Sequence, residues 1–248
     1  MLRICLTILL IQLSFALHAA DELSAYNASY EASYGGMKAT LQRSLTAQAD
    51  GHFQFESTAK LKLLGQTLTT IREKSLFHAK QDSIMPNAYE FVQTGIGSRT
   101  HSAQFNQDQG NVITRVNGEE TIVAVGAEPV YDDLSVLIQI RKKLQAGDNV
   151  ITLMAVDKNR IDEENFRVLE TETLATPLGE FEAIKLEKIR PPENDRITHF
   201  WFAPELDYLL VKLYQQDSNG REVELEISAA EFPAQSLPEP ATQAASTL

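Results

Sequence analysis

HFQFESTAKLKLLG, His52 to Gly65, alternates apolar and polar residues almost throughout. Phe53, Phe55, Ala59, Leu61 and Leu63 share one parity, and His52, Gln54, Glu56, Thr58, Lys60 and Lys62 share the other. Successive side chains on a strand point to opposite faces, so this reads as one half-buried strand or two in series. The same period recurs in REVELEIS, where Val223, Leu225 and Ile227 oppose Glu222, Glu224 and Glu226, and in LLVKLYQQ, with Leu209, Val211 and Leu213 on one side. DSNG, Asp217 to Gly220, separates these two runs at hairpin spacing. Asn117-Gly118 and Gly35-Gly36 supply further turn signals. Roughly ten to twelve strand candidates follow, at the spacing of sandwiches and barrels. The expectation is an all-β protein, mainly antiparallel: a curved sheet or open barrel.

One segment breaks the rhythm. In PVYDDLSVLIQIRKKLQAGDN, Pro129 to Asn149, the residues Leu134, Leu137, Ile138, Ile140 and Leu144 follow helical spacing. Asp132 stands where a cap belongs, and its carboxylate suits the free amide hydrogens of a first turn. Tyr131 and Val136 are placed for a hydrophobic staple. Lys142 and Lys143 suit the last turn, and Gly147 ends the helix, expected over about 133–145. Leu137, Ile138 and Leu144 must be buried, most simply against the concave face of the sheet. Arg141 lies close to this apolar stripe. Three uses compete for it: an ion pair with an acid from a strand, a snorkelling surface position, or the polar anchor of a ligand, with the ion pair ranked first.

Near the start of the chain stand Arg3, an almost wholly apolar run from Ile4 to Leu17, and Leu17-His18-Ala19 before Ala20. That is the pattern of a secretory leader over 1–19, too short for a comfortable membrane span. The one cysteine, Cys5, falls inside that run, so a processed chain has neither disulfide nor thiolate chemistry. Residues 20–232 are expected to form a single β-rich domain. The stretch 233–248, PAQSLPEPATQAASTL, lacks large apolar residues and is expected to be disordered. The formal net charge of −12 argues against nucleic acid as a partner. No later stretch has the length of an integral membrane span. Oligomeric state stays open.

No catalytic, cofactor or metal motif is legible. Ser135 lies near Asp132 and Asp133, but no histidine is close to activate it, and a serine in a first turn more often bonds locally. The histidines after the leader, His52, His78, His101 and His199, are scattered. DKNRIDEEN, from Asp157, reads as a solvated acidic loop rather than a calcium site. The Phe200-Trp201-Phe202 triplet puts rings on both faces of a strand, one of which meets either a second layer or a ligand in an apolar cleft.

The ordered set YNASYEASYGGMKATLQRSL, IREKSLF, MPNAYEF, YDDLSVLIQIRKKL, TPLGEFEAIKLEKI and HFWFAPELDYLLVKL resembles the exported bacterial family called domain of unknown function 3108, over roughly residues 24 to 232. The resemblance implies an exported, mostly antiparallel β protein. Tyr131, Asp133, Ser135 and Arg141 resemble that family's Y-D-x-x-S helix start, with no catalytic role attached. The last third is also similar to the half-open barrels of outer-membrane lipoprotein carriers, although those hold more helix. The functional expectation is a non-catalytic periplasmic protein that binds or carries an apolar or amphipathic ligand, a lipid or a lipidated protein, with Tyr131, Asp133, Ser135, Arg141 and Trp201 as candidate cleft or structural residues. The alternatives are a carboxylate-based hydrolase of envelope glycans and an envelope assembly protein.

Overall fold

The computed structural model describes residues 23–80 and 83–233. The leader, and all but Pro233 of the tail, lie outside the described residues. Eight strands come first: β1 (Tyr26–Tyr34), β2 (Met37–Ala47), β3 (His52–Leu63), β4 (Gln66–Ala79), β5 (Ile84–Gly95), β6 (Arg99–Asn106), β7 (Asn111–Val116) and β8 (Glu119–Ala124). A two-residue strand β9 (Val130–Tyr131) leads into the helix α1 (Ser135–Gln145). Six strands complete the chain: β10 (Val150–Asp157), β11 (Arg160–Thr176), β12 (Gly179–Ile189), β13 (Ile197–Ala203), β14 (Leu209–Gln216) and β15 (Glu222–Glu231). All belong to one fifteen-stranded sheet, ordered β8-β7-β6-β5-β4-β3-β2-β1-β15-β14-β13-β12-β11-β10-β9.

Every pairing is antiparallel except β9 with β10. The sheet is a curved, open one. Its two edge strands, β8 and β9, do not pair with each other. Register shifts after Ser29, Leu61, Leu76, Val168 and Trp201 place bulges along it, and bulges increase twist and bend. The sheet rolls far enough that β9 comes against β5, with α1 packed between β5 and β10.

Strands outnumber the ten to twelve expected. DKNRIDEEN is not a solvated loop: a tight turn at Lys158, with φ +57°, sends the chain straight into β11. The charges that suggested a loop pair with one another instead, Arg160 with Asp157 and Asp162. β9 is too short to leave a periodic trace.

The helix is buried on nearly every side, rather than along one stripe. Val136, Ile138, Ile140 and Leu144 are buried, and so are Ser135, Gln139, Arg141 and Lys142. A sheet wrapped around a helix has this consequence. Ile138 and Ile140, both fully enclosed, each contribute about 1.5–3 kcal/mol. Regular helix begins at Ser135, two residues later than expected, because 133–134 form the preceding turn.

Candidate functional site

The concave face leaves an open cavity of about 710 Å³ at the end of the sheet that carries the β1–β2, β3–β4 and β5–β6 turns. One cross-strand row runs Tyr30, Leu41, Ala59, Ile71, Gln93, Arg99 from β1 to β6. All but Tyr30 line the cavity. The next row outward runs Leu213, Leu225, Ala32, Ala39, Leu61 and Thr69 from β14 to β4, with Val223 one step further out on β15; all of them line the cavity. The space exists because Ala32, Ala39 and Ala59 stand at inward positions that larger side chains would fill. The next row inward is polar, with Arg43, Ser57 and Glu73 abreast. The Arg43 guanidinium lies 5.5 Å from the Tyr30 ring centre, its Nε is buried without a hydrogen-bond partner, and the Tyr30 hydroxyl donates to the Leu210 carbonyl at 2.9 Å.

The β5–β6 turn is clamped to β4 at the rim. Ile96 N–H donates to the Leu68 carbonyl, and the Ile96 carbonyl accepts from Thr69 Oγ1 and Gln93 Nε2. Gly95 permits this approach: its φ is +87°, and a Cβ there would sit 2.1 Å from the Leu68 oxygen. Gly95→Ala is expected to cost about 2 kcal/mol or more, from left-handed strain plus this clash. A thermal midpoint equal to that of the wild type would contradict the clamp.

At the start of α1, Asp132 is fully buried. Its Oδ1 accepts from the Leu134 and Ser135 amides at 3.0 and 2.9 Å, and its Oδ2 accepts from Ser75 Oγ at 2.7 Å. Ser135 Oγ in turn accepts from the Asp132 amide at 2.8 Å, a reciprocal box with serine in the distal place. The Ser135 hydroxyl is thus committed to the helix start. Burial raises the Asp132 carboxyl to about 6, against the opposing pull of these hydrogen bonds. Asp133 reaches solvent yet stands in a crowded corner. Enclosure by protein comes first, then the charges of Glu73, Asp132, Glu164 and Asp157, and together they push it up to about 7. The Tyr89 hydroxyl spans Glu73 at 2.8 Å and Asp133 at 3.3 Å. Burial and these acids raise Tyr89 far above the usual phenol range.

Both carboxyls hold protons more tightly in the fold than unfolded. Their contribution to stability is therefore full below about pH 4 and is lost as pH rises through 6 and 7. For Asp132 the loss is on the order of 3 kcal/mol. The Asp133→Asn variant is expected to lose less stability between pH 4 and pH 7.5 than the wild type. Parallel denaturation curves for the two proteins across that range would contradict the assignment.

The other sequence candidates lie apart. Tyr131 is buried in β9, its hydroxyl raised to about 12 by burial and then by Glu128. Arg141, 3% exposed at the far end of the helix, pairs with Asp207 at 2.7 Å and faces the Tyr26 ring at 5.4 Å. Its partner comes from the turn after β13 rather than from a strand. Trp201 is buried on the face opposite Phe200 and Phe202. Its ring sits near Lys185 and Lys212, and its Nε1 donates to Glu172 at 2.6 Å. None of Tyr131, Asp133, Ser135, Arg141 and Trp201 lines the cavity. The residues that do line it escape a reading of the sequence, because the inward alanines of β1, β2 and β3 come together only through the strand register.

The family model described as a protein of unknown function, DUF3108, matches residues 29–227. The chain belongs to the DUF3108 family. No curated protein matches this DUF3108 chain. Among solved structures, it is similar to a β-barrel-like DUF1849 protein from Brucella abortus, with 9% identity, 85% of this chain and 98% of that chain covered, and a TM-score of 0.56. That likeness shows the fold. A Bacteroides fragilis protein with a YmcC-like fold shares 10% identity over 84% of this chain and 96% of its own, at a TM-score of 0.35. MucB shares 10% identity over 88% of this chain and 56% of its own, also at 0.35. Among the described residues no helix is long and apolar enough to cross a membrane.

Proposed function

We propose that this protein is a non-catalytic, exported carrier or binding protein of the periplasm, and that it holds the hydrocarbon part of an amphipathic ligand in the cavity of the curled sheet. The observation that carries this reading is the cavity itself, about 710 Å³ and walled by alanine, leucine, isoleucine and valine. Its size is that of a small-ligand pocket. Arg99 at the rim offers a cation to an anionic head group. The experiment is native mass spectrometry of protein purified from its own envelope. A co-purifying lipid or lipid-like mass, released on denaturation, is the expected result. Uniformly empty protein that also takes up no long-chain fatty acid would overturn it.

A second reading, a carboxylate-based hydrolase of envelope glycans, draws on Glu73 and Asp133 sharing the Tyr89 hydroxyl. Neither acid lines the cavity, so no substrate space accompanies the pair. Release of reducing ends from envelope glycans, abolished in Asp133→Asn, would reverse the preference.

A further inference from the structure

The cavity opens between two turns whose tips are apolar. Leu64, between β3 and β4, is 96% exposed, Leu63 beside it 47%, and Ile96 in the β5–β6 turn 67%. The clamp at Gly95 holds the second tip beside the first hairpin. Leu64 gains nothing from the fold by being leucine. It takes φ +48° with Gly65 at +81°, nearly the same pair as Asn117 at +50° and Gly118 at +92°. In the β7–β8 turn this conformation is given to Asn-Gly, the residues that tolerate it best and prefer water. At the cavity rim a leucine takes the strained position and faces solvent.

The tips themselves carry no acid; the nearest acids, Glu31, Glu224 and Glu226, lie on β1 and β15, in an outer groove that Lys38 and Lys62 also line. The whole chain carries −12, yet neither 57–72 nor 91–107, which hold the two tips, contains a single Asp or Glu. Lys60, Lys62 and Arg99 are exposed there, with Lys38 on the adjoining strand. Among the described residues none of the four forms an ion pair, and Arg99 rests over the Phe91 ring at 5.1 Å.

We infer that this rim docks on an anionic lipid surface, with Leu63, Leu64 and Ile96 entering the interface and Lys38, Lys60, Lys62 and Arg99 meeting head groups. Apolar tips set among cations suit the head-group boundary of an anionic bilayer. The inference rests on the carrier reading for its purpose, since a docked rim would bring the cavity to its ligand's source. Its physical basis is separate.

The test is flotation of the cell-processed protein with vesicles of phosphatidylglycerol and phosphatidylethanolamine, against vesicles of phosphatidylcholine alone. Preferential binding to the anionic vesicles, weakened by salt, is expected. Leu64→Asp and the double variant Lys60→Glu/Lys62→Glu should each lower it at least tenfold, with thermal midpoints unchanged. The same samples are titrated with a fluorescent long-chain fatty acid. Retained fatty-acid binding without flotation rejects docking and leaves the carrier reading standing. Flotation without fatty-acid binding does the reverse. A wild type that ignores vesicles, a Leu64→Asp variant that floats equally well, or a dimer that Leu64→Asp splits into monomers would each overturn the inference. The last outcome would place a second copy of the chain on the tips.

Discussion

Asp132→Ala is expected to lower stability by about 3 kcal/mol at pH 4.5, and by less at pH 8. The first figure combines two losses. Removing a cap costs about 0.5–2 kcal/mol, and leaving a buried Ser75 hydroxyl unpaired costs about 1–3 kcal/mol. The pH dependence arises because the carboxyl titrates at about 6 inside the protein. Above that pH the wild type bears a buried charge that the alanine variant does not, so the gap between them closes. Asp132→Asn, which keeps an acceptor for the Leu134 and Ser135 amides, should lose much less at pH 4.5 and should also flatten the pH profile. Chemical denaturation at the two pH values measures both effects. An Asp132→Ala variant as stable as the wild type at pH 4.5 would show that Asp132 does not organise the helix start.

Filling the cavity is expected to have the largest effect on binding. Ala32→Phe combined with Ala59→Phe puts two rings into the space that inward alanines leave, without touching the helix or its acids. Fatty-acid affinity should fall at least tenfold. The thermal midpoint should stay within a few degrees or rise, since the rings bury apolar area where room already exists. Titration of the probe, with a melting curve on the same sample, separates this from misfolding. Unchanged affinity in a folded double variant would move the ligand elsewhere.

The fold was legible in the sequence because its signals are local. Alternation in His52–Leu63 and Glu222–Glu231 set the strands, and Asn117-Gly118 and Asp217–Gly220 marked the turns. The helix was legible through its cap and stripe, and the structure places Asp132 and Arg141 in polar contacts of the kind those positions suggested. The cavity was less visible because it depends on register. Ala32, Ala39 and Ala59 become one wall only when β1, β2 and β3 pair, and a single chain position does not reveal its cross-strand neighbours. The Glu73–Tyr89–Asp133 group has the same character, joining residues from β4, β5 and the helix start. The Arg43 row adds a third case, with an inward cation on a strand that reads as ordinary alternation.

Photocrosslinking locates the bound ligand. A long-chain fatty acid with a diazirine at its tail is bound, irradiated and mapped by peptide mass spectrometry. Saturable labelling is expected only within residues 32–41, 59–71, 93–99 and 213–225, the segments that wall the cavity, with its loss in the Ala32→Phe/Ala59→Phe variant. Labelling that is unsaturable, or that falls on α1 or on the outer face around Trp201, would contradict this expectation.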